Sequence, residues 1–350
     1  MSPLRSTASP ERDVPPLDEV DLDIIDALQI APRVPLAALA ECLSIPTSTV
    51  HRRLQRLVDE RLLRVVGRHA WSLLTRSNPY ELWIKVEPGR SRDVADALLP
   101  IPEVQLVFET TGEADVHAAV VPFHDSNVYE LICERIPRID GVVSVDSRLI
   151  IDSVRIAQQW RSHRLAPGIA AALEKHHLVV DQPLPGSLAA LSEIEFEAMR
   201  ALGANGRVTA AELSREFGVA SSTANRAIQK ILRSGAVLPR VEVEPALLGF
   251  PLQVLVSVDA EPGQFSHITQ TLTAHPKIRM ASVVTGPTPI SVHGAFRSTD
   301  DFSAFVNGDL AQLQGVHGIR SAVVLRVARR YWMDRTGYRI EDQIEGLLTR

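Results

Sequence analysis

The sequence repeats itself at a constant spacing, and this repeat limits the fold more than any other feature. Residues 17–28 align with residues 191–202, which is an offset of 191 − 17 = 174 positions. The same offset, without a gap, relates turn motifs further along: Glu87-Pro88-Gly89 matches Glu261-Pro262-Gly263, and Thr111-Gly112 matches Thr285-Gly286. A constant offset through turns of several kinds predicts a tandem duplication of one two-part unit.

The first part of each copy is predicted to be helical. In copy one, Asp18 is placed to cap a helix, and copy two has the capping-box pair Ser192 and Glu195. A second short helix follows, and the apolar spacing then predicts a third helix, at about 47–60 in copy one. Short apolar stretches at 62–66 and 236–241 suit the strands of a wing. Each copy is therefore predicted to begin with a winged helix-turn-helix domain.

The second part of each copy changes to short segments rich in Val and Ile, which are typical of strands. In copy one the predicted strands are 82–86, 104–110, 116–121 and 142–151, and two helical segments lie at 92–99 and 126–136. The order is strand-helix-strand-strand-helix-strand, which is that of the ferredoxin-like βαββαβ domain. Copy two repeats it, with strands near 254–260, 278–285, 290–296 and 319–327.

The predicted fold class is therefore α+β, with two winged helix-turn-helix domains alternating with two ferredoxin-like domains. The predicted boundaries are a disordered tail at 1–16, winged helix-turn-helix domains at 17–77 and 191–248, ferredoxin-like domains at 78–157 and 249–330, a linker at 158–190 and a C-terminal tail at 331–350. A short helix is predicted within the linker, at 168–177.

Composition and missing motifs exclude several classes of protein. No window approaches the roughly 20 consecutive apolar residues of a membrane-spanning helix, and residues 1–16 lack the apolar stretch of a secretory signal. Cys42 and Cys133 are too few for a disulfide framework and fit a reducing compartment. The sequence has no phosphate loop, dinucleotide fingerprint, nucleophile elbow or zinc-ligand spacing. These features predict a cytoplasmic protein without catalytic activity, cofactor or metal.

The third helices have the composition of a surface that reads double-stranded DNA. With Val50, Leu54 and Leu57 turned inward, the outer face is polar, and residues 51–69 hold six Arg against one Asp and one Glu although the whole chain has a charge of −5. Hydroxyl groups at a helix start can contact phosphates, and Arg or Asn one turn later can bond base edges. The candidate DNA-contacting residues are Ser48, Thr49, His51, Arg52, Arg53 and Arg56 in copy one, and Ser222, Thr223, Asn225, Arg226 and Lys230 in copy two.

A set of motifs runs in fixed order through copy one: Leu17-Asp18-x-x-Asp21-x-x-Ile24-Ile25-x-x-Leu28, Arg33, Leu39-Ala40, Ser48-Thr49-Val50-x-Arg52-Arg53-Leu54 and Leu57. They resemble the opening domain of the leucine-responsive/AsnC (Lrp/AsnC) transcriptional regulators. Pro88-Gly89, Pro102-Glu103-Val104, Thr111-Gly112-x-x-Asp115 and Gly141-Val142 resemble the ligand-sensing ferredoxin-like domain of that family. The resemblance implies a DNA-binding regulator that pairs through its sensing domains, forms homo-oligomers and responds to amino acids or related small molecules. A duplicated chain would then hold the pair as an intramolecular pseudo-dimer.

The two sensing domains differ at the turn that the resemblance marks. Thr111, Gly112 and Asp115 are the candidate effector-binding residues of copy one, because the Asp115 carboxylate suits an amino group. In copy two Pro289 stands at the position of Asp115 and offers neither a charge nor an N–H. We therefore expect copy one, or its interface with copy two, to hold the effector. The alternative is that these residues only shape a tight hairpin.

Two other functions remain open from the sequence. Paired sirohaem decarboxylases of tetrapyrrole synthesis are similar in arrangement to this family and occur as two-copy fusions. Against an enzyme of this kind, no His cluster recurs in both sensing domains, since His117 maps to Ser291 and His124 to Ser298. The second alternative is a ligand-binding scaffold that no longer binds DNA.

Overall fold

The computed structural model describes residues 17–155, 160–344 and 347–348, so the predicted disordered tail at 1–16 lies outside the described residues. Helical domain 1 (residues 19–69) consists of α1 (Glu19–Ile30), α2 (Leu36–Leu43), α3 (Thr47–Asp59) and strand β1 (Leu63–His69). Asp18 and Asp21 form a reciprocal capping box at the start of α1. The three helices bury one apolar core, in which Ile24, Leu39 and Leu57 are fully shielded from solvent.

Sheet half 1 (residues 80–155) follows the short helix α4 (Trp71–Leu74). It contains β2 (Tyr80–Val86), α5 (Ser91–Leu98), β3 (Val104–Gly112), β4 (Val116–Val120), a π-helical segment (Glu130–Arg135) and β5 (Val142–Arg155). Its strands are antiparallel in the order β5-β2-β4-β3. Alternate residues of β2 face opposite sides: Leu82 packs under the helices, whereas Trp83 belongs to a second cluster with residues of sheet half 2.

The second copy has the same parts in the same order. Helical domain 2 (residues 193–243) consists of α7 (Glu193–Ala204), α8 (Ala210–Phe217), α9 (Ser221–Arg233) and β6 (Val237–Val243). Sheet half 2 (residues 252–330) consists of β7 (Leu252–Ala260), α10 (Phe265–Ala274), β8 (Ile278–Val284), β9 (Ile290–Phe296), α11 (Thr299–Ala304), a π-helical segment (Phe305–Leu310) and β10 (Val316–Arg330). The predicted α+β class and the βαββαβ order are confirmed.

The two sheet halves join at both edges and close an eight-stranded ring. Strand β5 pairs with β8, and β10 pairs with both β7 of its own half and β3 of the other, which gives the order β10-β3-β4-β2-β5-β8-β9-β7 and back to β10. Trp83, Phe108, Leu255 and Ala322 form an apolar cluster from both halves. Each copy therefore completes the sheet of the other within one chain.

The strands predicted as wings are present, but they pair across the copies. Strand β1 runs antiparallel to β6 over seven residue pairs, from Leu63 opposite Val243 to His69 opposite Val237. We call this two-stranded sheet the ribbon. Because each helical domain supplies one such strand, the backbone groups of both are satisfied by the equivalent strand of the other domain. The ribbon joins the two helical domains.

The linker and the C-terminal tail are both partly built into the fold. The predicted linker helix is α6 (Pro167–Glu174), and its Leu173 is buried in the core of helical domain 1. The predicted tail instead forms β11 (Met333–Thr336) and β12 (Arg339–Gln343), which extend the sheet beyond β10. The prediction of a C-terminal tail was wrong for residues 331–343, because Trp332, Met333 and Ile340 bury apolar surface that a free tail would expose.

Candidate nucleic-acid interface

Helices α3 and α9 present matched polar faces to solvent. Ser48, His51, Arg52 and Gln55 are exposed on α3, and Ser222, Asn225, Arg226, Gln229 and Lys230 are exposed on α9, whereas Thr49 and Thr223 are half-buried. Pro46 and Ala220, which precede the helices, supply no side-chain cap. The positive end of each helix dipole therefore lies beside exposed serine hydroxyls, an arrangement that suits phosphate.

Arg52 and Arg226 occupy equivalent positions in the two copies. Both are exposed, and within the described residues neither makes an ion pair or a side-chain hydrogen bond. Each lies one turn into its helix, next to His51 in copy one and Asn225 in copy two. These arginines are therefore available to a ligand outside the protein.

Arg53 and Arg56 instead contact acidic residues of α1. Arg53 pairs with Asp18 and Asp21, and Arg56 donates to Asp21 at 2.5 Å. The Asp21 backbone N–H and the Arg53 guanidinium hold the pKa of the Asp18 carboxyl below its usual value. The sequence alone does not indicate these partners.

The ion pair between the first and third helices recurs in copy two. Lys230, equivalent to Arg56, donates to Glu195, equivalent to Asp21, at 2.8 Å. Arg53 has no such counterpart, since Ala227 stands at that position and is buried. The recurrence indicates that Arg56 and Lys230 orient the third helices, and their charge lies at the edge of the exposed face.

Two further arginines connect the helical domains directly. Arg33 donates to the carbonyl oxygens of Gly206 and Val208, at 2.5 and 3.0 Å. Arg207, its equivalent, donates to those of Pro32 and Val34, at 2.7 and 2.9 Å. Burial lowers the pKa of both arginines. In the sequence, the signal for these two arginines is that they occupy equivalent positions of the repeat, 174 residues apart. That equivalence does not predict the contacts between the two helical domains.

The candidate effector turn, at residues 111–115, connects β3 to β4 in sheet half 1. Gly112 has φ +106°, and a Cβ there would lie 2.4 Å from the Ser321 carbonyl oxygen, so only glycine fits. Thr111 is exposed. The Asp115 carboxylate accepts the Val86 N–H at 3.0 Å and lies 3.9 Å from Lys85 Nζ. Asp115 thus has partners at the end of the neighbouring strand β2.

Arg148 connects this turn to the equivalent turn of copy two. It is buried, pairs with Glu113 at 3.0 Å and Asp146 at 2.7 Å, and donates to Thr288 Oγ1 at 3.1 Å. Its guanidinium also lies 4.9 Å from the centre of the Trp83 ring. The sequence does not mark Arg148 as a candidate, because an isolated arginine on a strand carries no signal of burial between two domains.

Among the described residues, the structure contains neither a clustered metal site nor a membrane-spanning helix. No group of three or more His, Cys, Asp or Glu side chains is arranged to hold a metal ion. No helix in the part of the chain that the structure describes has the length and apolar character to cross a bilayer.

Comparison with known families gives the same organisation. Residues 17–58 match the AsnC-type helix-turn-helix domain. Residues 82–160 and 253–332 both match the Lrp/AsnC ligand binding domain. Residues 191–237 match a winged helix-turn-helix DNA-binding domain. The four matches follow the alternation of helical domains and sheet halves.

Individual relatives are single-copy in extent. The chain is 30% identical over 143 residues to the HTH-type transcriptional regulator FL11 of Pyrococcus furiosus, a match that covers 39% of this chain and 89% of that protein. It is 22% identical over 140 residues to an HTH-type transcriptional regulator of Pyrococcus horikoshii described as uncharacterized, covering 40% of this chain and 89% of that one.

Solved structures that resemble most of the chain include that of a siroheme decarboxylase. The siroheme decarboxylase NirDL superposes with a TM-score of 0.59 and 10% identity, covering 91% of this chain and 94% of that one. At this identity the likeness is one of fold, so the duplicated arrangement is shared and the activity does not follow from it. From its sequence matches, its two copies and its alternating domains, this chain belongs to the Lrp/AsnC family as a tandem-duplicated member.

Proposed function

We propose that this chain is a sequence-specific regulator of transcription that binds double-stranded DNA and is modulated by a small molecule. The observation that carries the proposal is the matched pair Arg52 and Arg226, exposed and free of ion pairs among the described residues, on helices whose domains are joined by the ribbon. A helix that enters the major groove needs an apolar back and a front of donors, and α3 and α9 both have this character.

The proposed contacts divide by position along each helix. Ser48, Thr49, Ser222 and Thr223 at the helix starts bind phosphates, and His51, Arg52, Asn225 and Arg226 reach base edges. Arg53, Arg56 and Lys230 contribute positive charge beside the DNA backbone while they hold the third helices in place. Double-stranded DNA is therefore the principal partner in this proposal.

The test is recovery of bound genomic DNA, followed by fluorescence anisotropy with the recovered fragment. We expect the double variant Arg52→Ala and Arg226→Ala to lose roughly 2 to 6 kcal/mol of binding free energy, at about 1 to 3 kcal/mol for each base-reading arginine. Arg138→Ala, an exposed arginine on sheet half 1, is the matched control. Unchanged affinity in the double variant would refute the proposed interface and favour a scaffold that does not bind DNA.

We also propose that the effector contacts the turn of Thr111, Gly112 and Asp115, and that it is an amino acid or a related molecule. Exposed Thr111 and half-buried Asp115 at the junction of the two sheet halves support this site. Calorimetry with a panel of amino acids tests it: we expect Asp115→Ala to weaken binding about tenfold or more, because an ammonium group would lose its carboxylate. Binding that survives in Asp115→Ala but fails in Thr285→Ala would overturn this assignment.

Assembly and location complete the proposal. Ile151 and Leu325 are equivalent residues of the two copies, and both are exposed, at 54% and 65%. Exposed apolar side chains repeated on both sheet halves support homo-oligomerisation through these halves.

The proposed site of action is the cytoplasm, as the sequence predicts. A new absorption band after mixing with a tetrapyrrole would instead support a decarboxylase.

A further inference from the structure

A cavity of about 90 Å³ lies where the eight-stranded ring meets the ribbon. Its walls include Glu81 of β2, His117 of β4, Arg279 of β8 and His293 of β9, and Arg68 and Arg240 reach it from the two strands of the ribbon. At about 30 Å³ per water, the volume holds roughly three waters or one small organic molecule. We call it the axis cavity, because both copies contribute equivalent positions to its wall.

Duplication has made this wall asymmetric. Glu81 is equivalent to Leu255, His293 to Ala119, and Arg279 to Gln105, and all six residues line the cavity. A dimer of two identical chains would place the same side chain twice at such positions, with two arginines or two glutamates facing one another. A single chain with two different copies can instead hold one charged group of each kind.

Arg279 is a buried cation without an acidic partner. It is 4% exposed, and no carboxylate of the described residues lies within ion-pair distance of it. Its guanidinium donates to Gln253 Oε1 at 3.3 Å and lies 5.2 Å from the centre of the Trp160 ring. The neighbouring Arg330 and Arg240, by contrast, pair with Glu244 and Glu242.

An unpaired buried charge is costly, and an anion relieves that cost. Burial, together with the charge of Arg330, lowers the pKa of Arg279 to about 9, so the guanidinium still carries its charge at neutral pH. Burial also lowers the pKa of His117 to about 3 and that of His293 well below its usual value, so both rings are neutral there. Glu242 and Glu244 act on Arg279 from beyond ion-pair distance and are themselves paired with other arginines. Among the described residues, no carboxylate therefore neutralises Arg279 by direct contact.

Several buried polar atoms around the cavity have no hydrogen-bond partner among the described residues. These atoms are the Nε–H groups of Arg279 and Arg330, the ring nitrogens His117 Nδ1 and His293 Nε2, and both carboxyl oxygens of Glu81. Burial raises the pKa of Glu81, which favours its protonated form, and that form can donate to a ligand. Phe108, Leu255 and Ala119 supply an apolar part of the same wall. A cation, unmatched donors and an apolar wall in a small cavity together suit a carboxylate with a short apolar chain.

We propose that the axis cavity binds a small carboxylate of about three carbons, with its charge on Arg279. Because strands of the ribbon and of the ring share the cavity wall, the ligand alters how the two helical domains sit on the ring. That regulatory consequence rests on the DNA-binding function proposed above, whereas the binding of the carboxylate does not.

The first experiment measures binding without DNA. Propanoate and L-alanine are titrated into the full chain by calorimetry, with sodium chloride as the control anion, and saturable binding with a dissociation constant below about 1 mM is expected for at least one carboxylate. Methyl NMR locates the site: the Ala119 and Leu255 methyl signals shift with the same saturation curve. No saturable binding, equal binding of chloride, or shifts confined to other methyls would overturn the proposal.

Two variants distinguish the contribution of the Arg279 charge to binding from that of the cavity volume. Arg279→Gln removes the charge and Ala119→Leu fills the cavity while keeping Arg279, so each weakens binding about tenfold or more. Arg297→Gln, an exposed arginine on the same sheet half, is the matched control and leaves binding unchanged. Unaltered affinity in a folded Arg279→Gln or Ala119→Leu protein contradicts the assignment. Glu81→Gln distinguishes an amino acid from a simple carboxylate. If the natural ligand is an amino acid, this variant weakens the binding of L-alanine more than the binding of propanoate.

The second experiment adds the recovered DNA fragment. A saturating carboxylate is expected to change the affinity for DNA in the native chain and not in Arg279→Gln. Ligand binding without any effect on DNA affinity would overturn the regulatory consequence. Failure to recover any bound DNA would refute the proposed function and leave the calorimetric result for the cavity intact.

Discussion

At the scale of single residues, the same side-chain type has different roles in adjacent positions. Arg52 lies exposed on α3 and has no ion pair with any described residue, whereas Arg53 next to it pairs with Asp18 and Asp21. The sequence predicted an arginine-rich outer face and could not separate these roles, because the acidic partners lie on α1, more than 30 positions earlier. Only the packing of α1 against α3 brings the charges together.

Buried histidines predict a loss of stability in acid. Burial lowers the pKa of His69 to about 4 and that of His117 to about 3, from 6.5. The unfolded chain binds these protons more readily, so the stabilisation is complete above pH 6.5 and is lost as the pH falls toward the folded-state values. Urea unfolding at pH 7 and pH 5 should show about 2 kcal/mol lost per buried histidine.

The matched comparison for this prediction uses two single variants. His69→Gln should reduce the loss between pH 7 and pH 5 by about 2 kcal/mol, because one titrating group is removed. His51→Gln should leave the loss unchanged, since His51 is exposed in the folded chain. An equal pH dependence in native and His69→Gln proteins would contradict the role given to burial.

At the scale of elements, the repeat predicted the order of helices and strands, and the structure agrees. It did not predict which strands pair between copies. Strands β1 and β6 pair over a separation of more than 160 residues, and local patterns contain no information about such partners. The π-helical segments at Glu130–Arg135 and Phe305–Leu310 were likewise predicted only as helices.

The reciprocal contacts of Arg33 and Arg207 predict coupling between the helical domains. In the double variant Arg33→Ala and Arg207→Ala, four carbonyl oxygens lose donors, and the free energy of unfolding should fall by about 2 kcal/mol or more. Affinity for a full DNA site should fall about tenfold, with little change for a half-site, because the helices lose their fixed separation.

Urea unfolding and anisotropy with full-site and half-site DNA measure these two effects. Arg200→Ala, at a partly exposed arginine that pairs within α7, is the control. A double variant as stable as the native chain, or one that loses half-site affinity as strongly as full-site affinity, would show that the arginines do not fix the spacing.

At the scale of the whole molecule, two nearly identical outer faces are held in one chain. The residues that are the same in both copies are Arg52 and Arg226, Gln55 and Gln229, Ser48 and Ser222, and Thr49 and Thr223. Thr47 corresponds to Ser221, which keeps the hydroxyl group, whereas His51 corresponds to Asn225. The DNA site should therefore be an imperfect palindrome, whose two halves differ at the base pairs that His51 and Asn225 contact.

Asn225→His tests this expectation. The variant should prefer a symmetric site made from two copies of the half-site that α3 binds, by about 1 to 3 kcal/mol relative to the native chain. Competition between symmetric and native fragments measures the preference. Identical preferences in the variant and the native chain would exclude this pair as the source of asymmetry.

The ring of strands also has a consequence at low concentration. A regulator assembled from two separate chains loses its paired helices when it is diluted below its dimerisation constant. Here β5 meets β8 and β3 meets β10 within one covalent chain, so dilution cannot part the two helical domains. We therefore expect a few molecules per cell to keep both DNA-binding helices together, with occupancy that follows the first power of chain concentration.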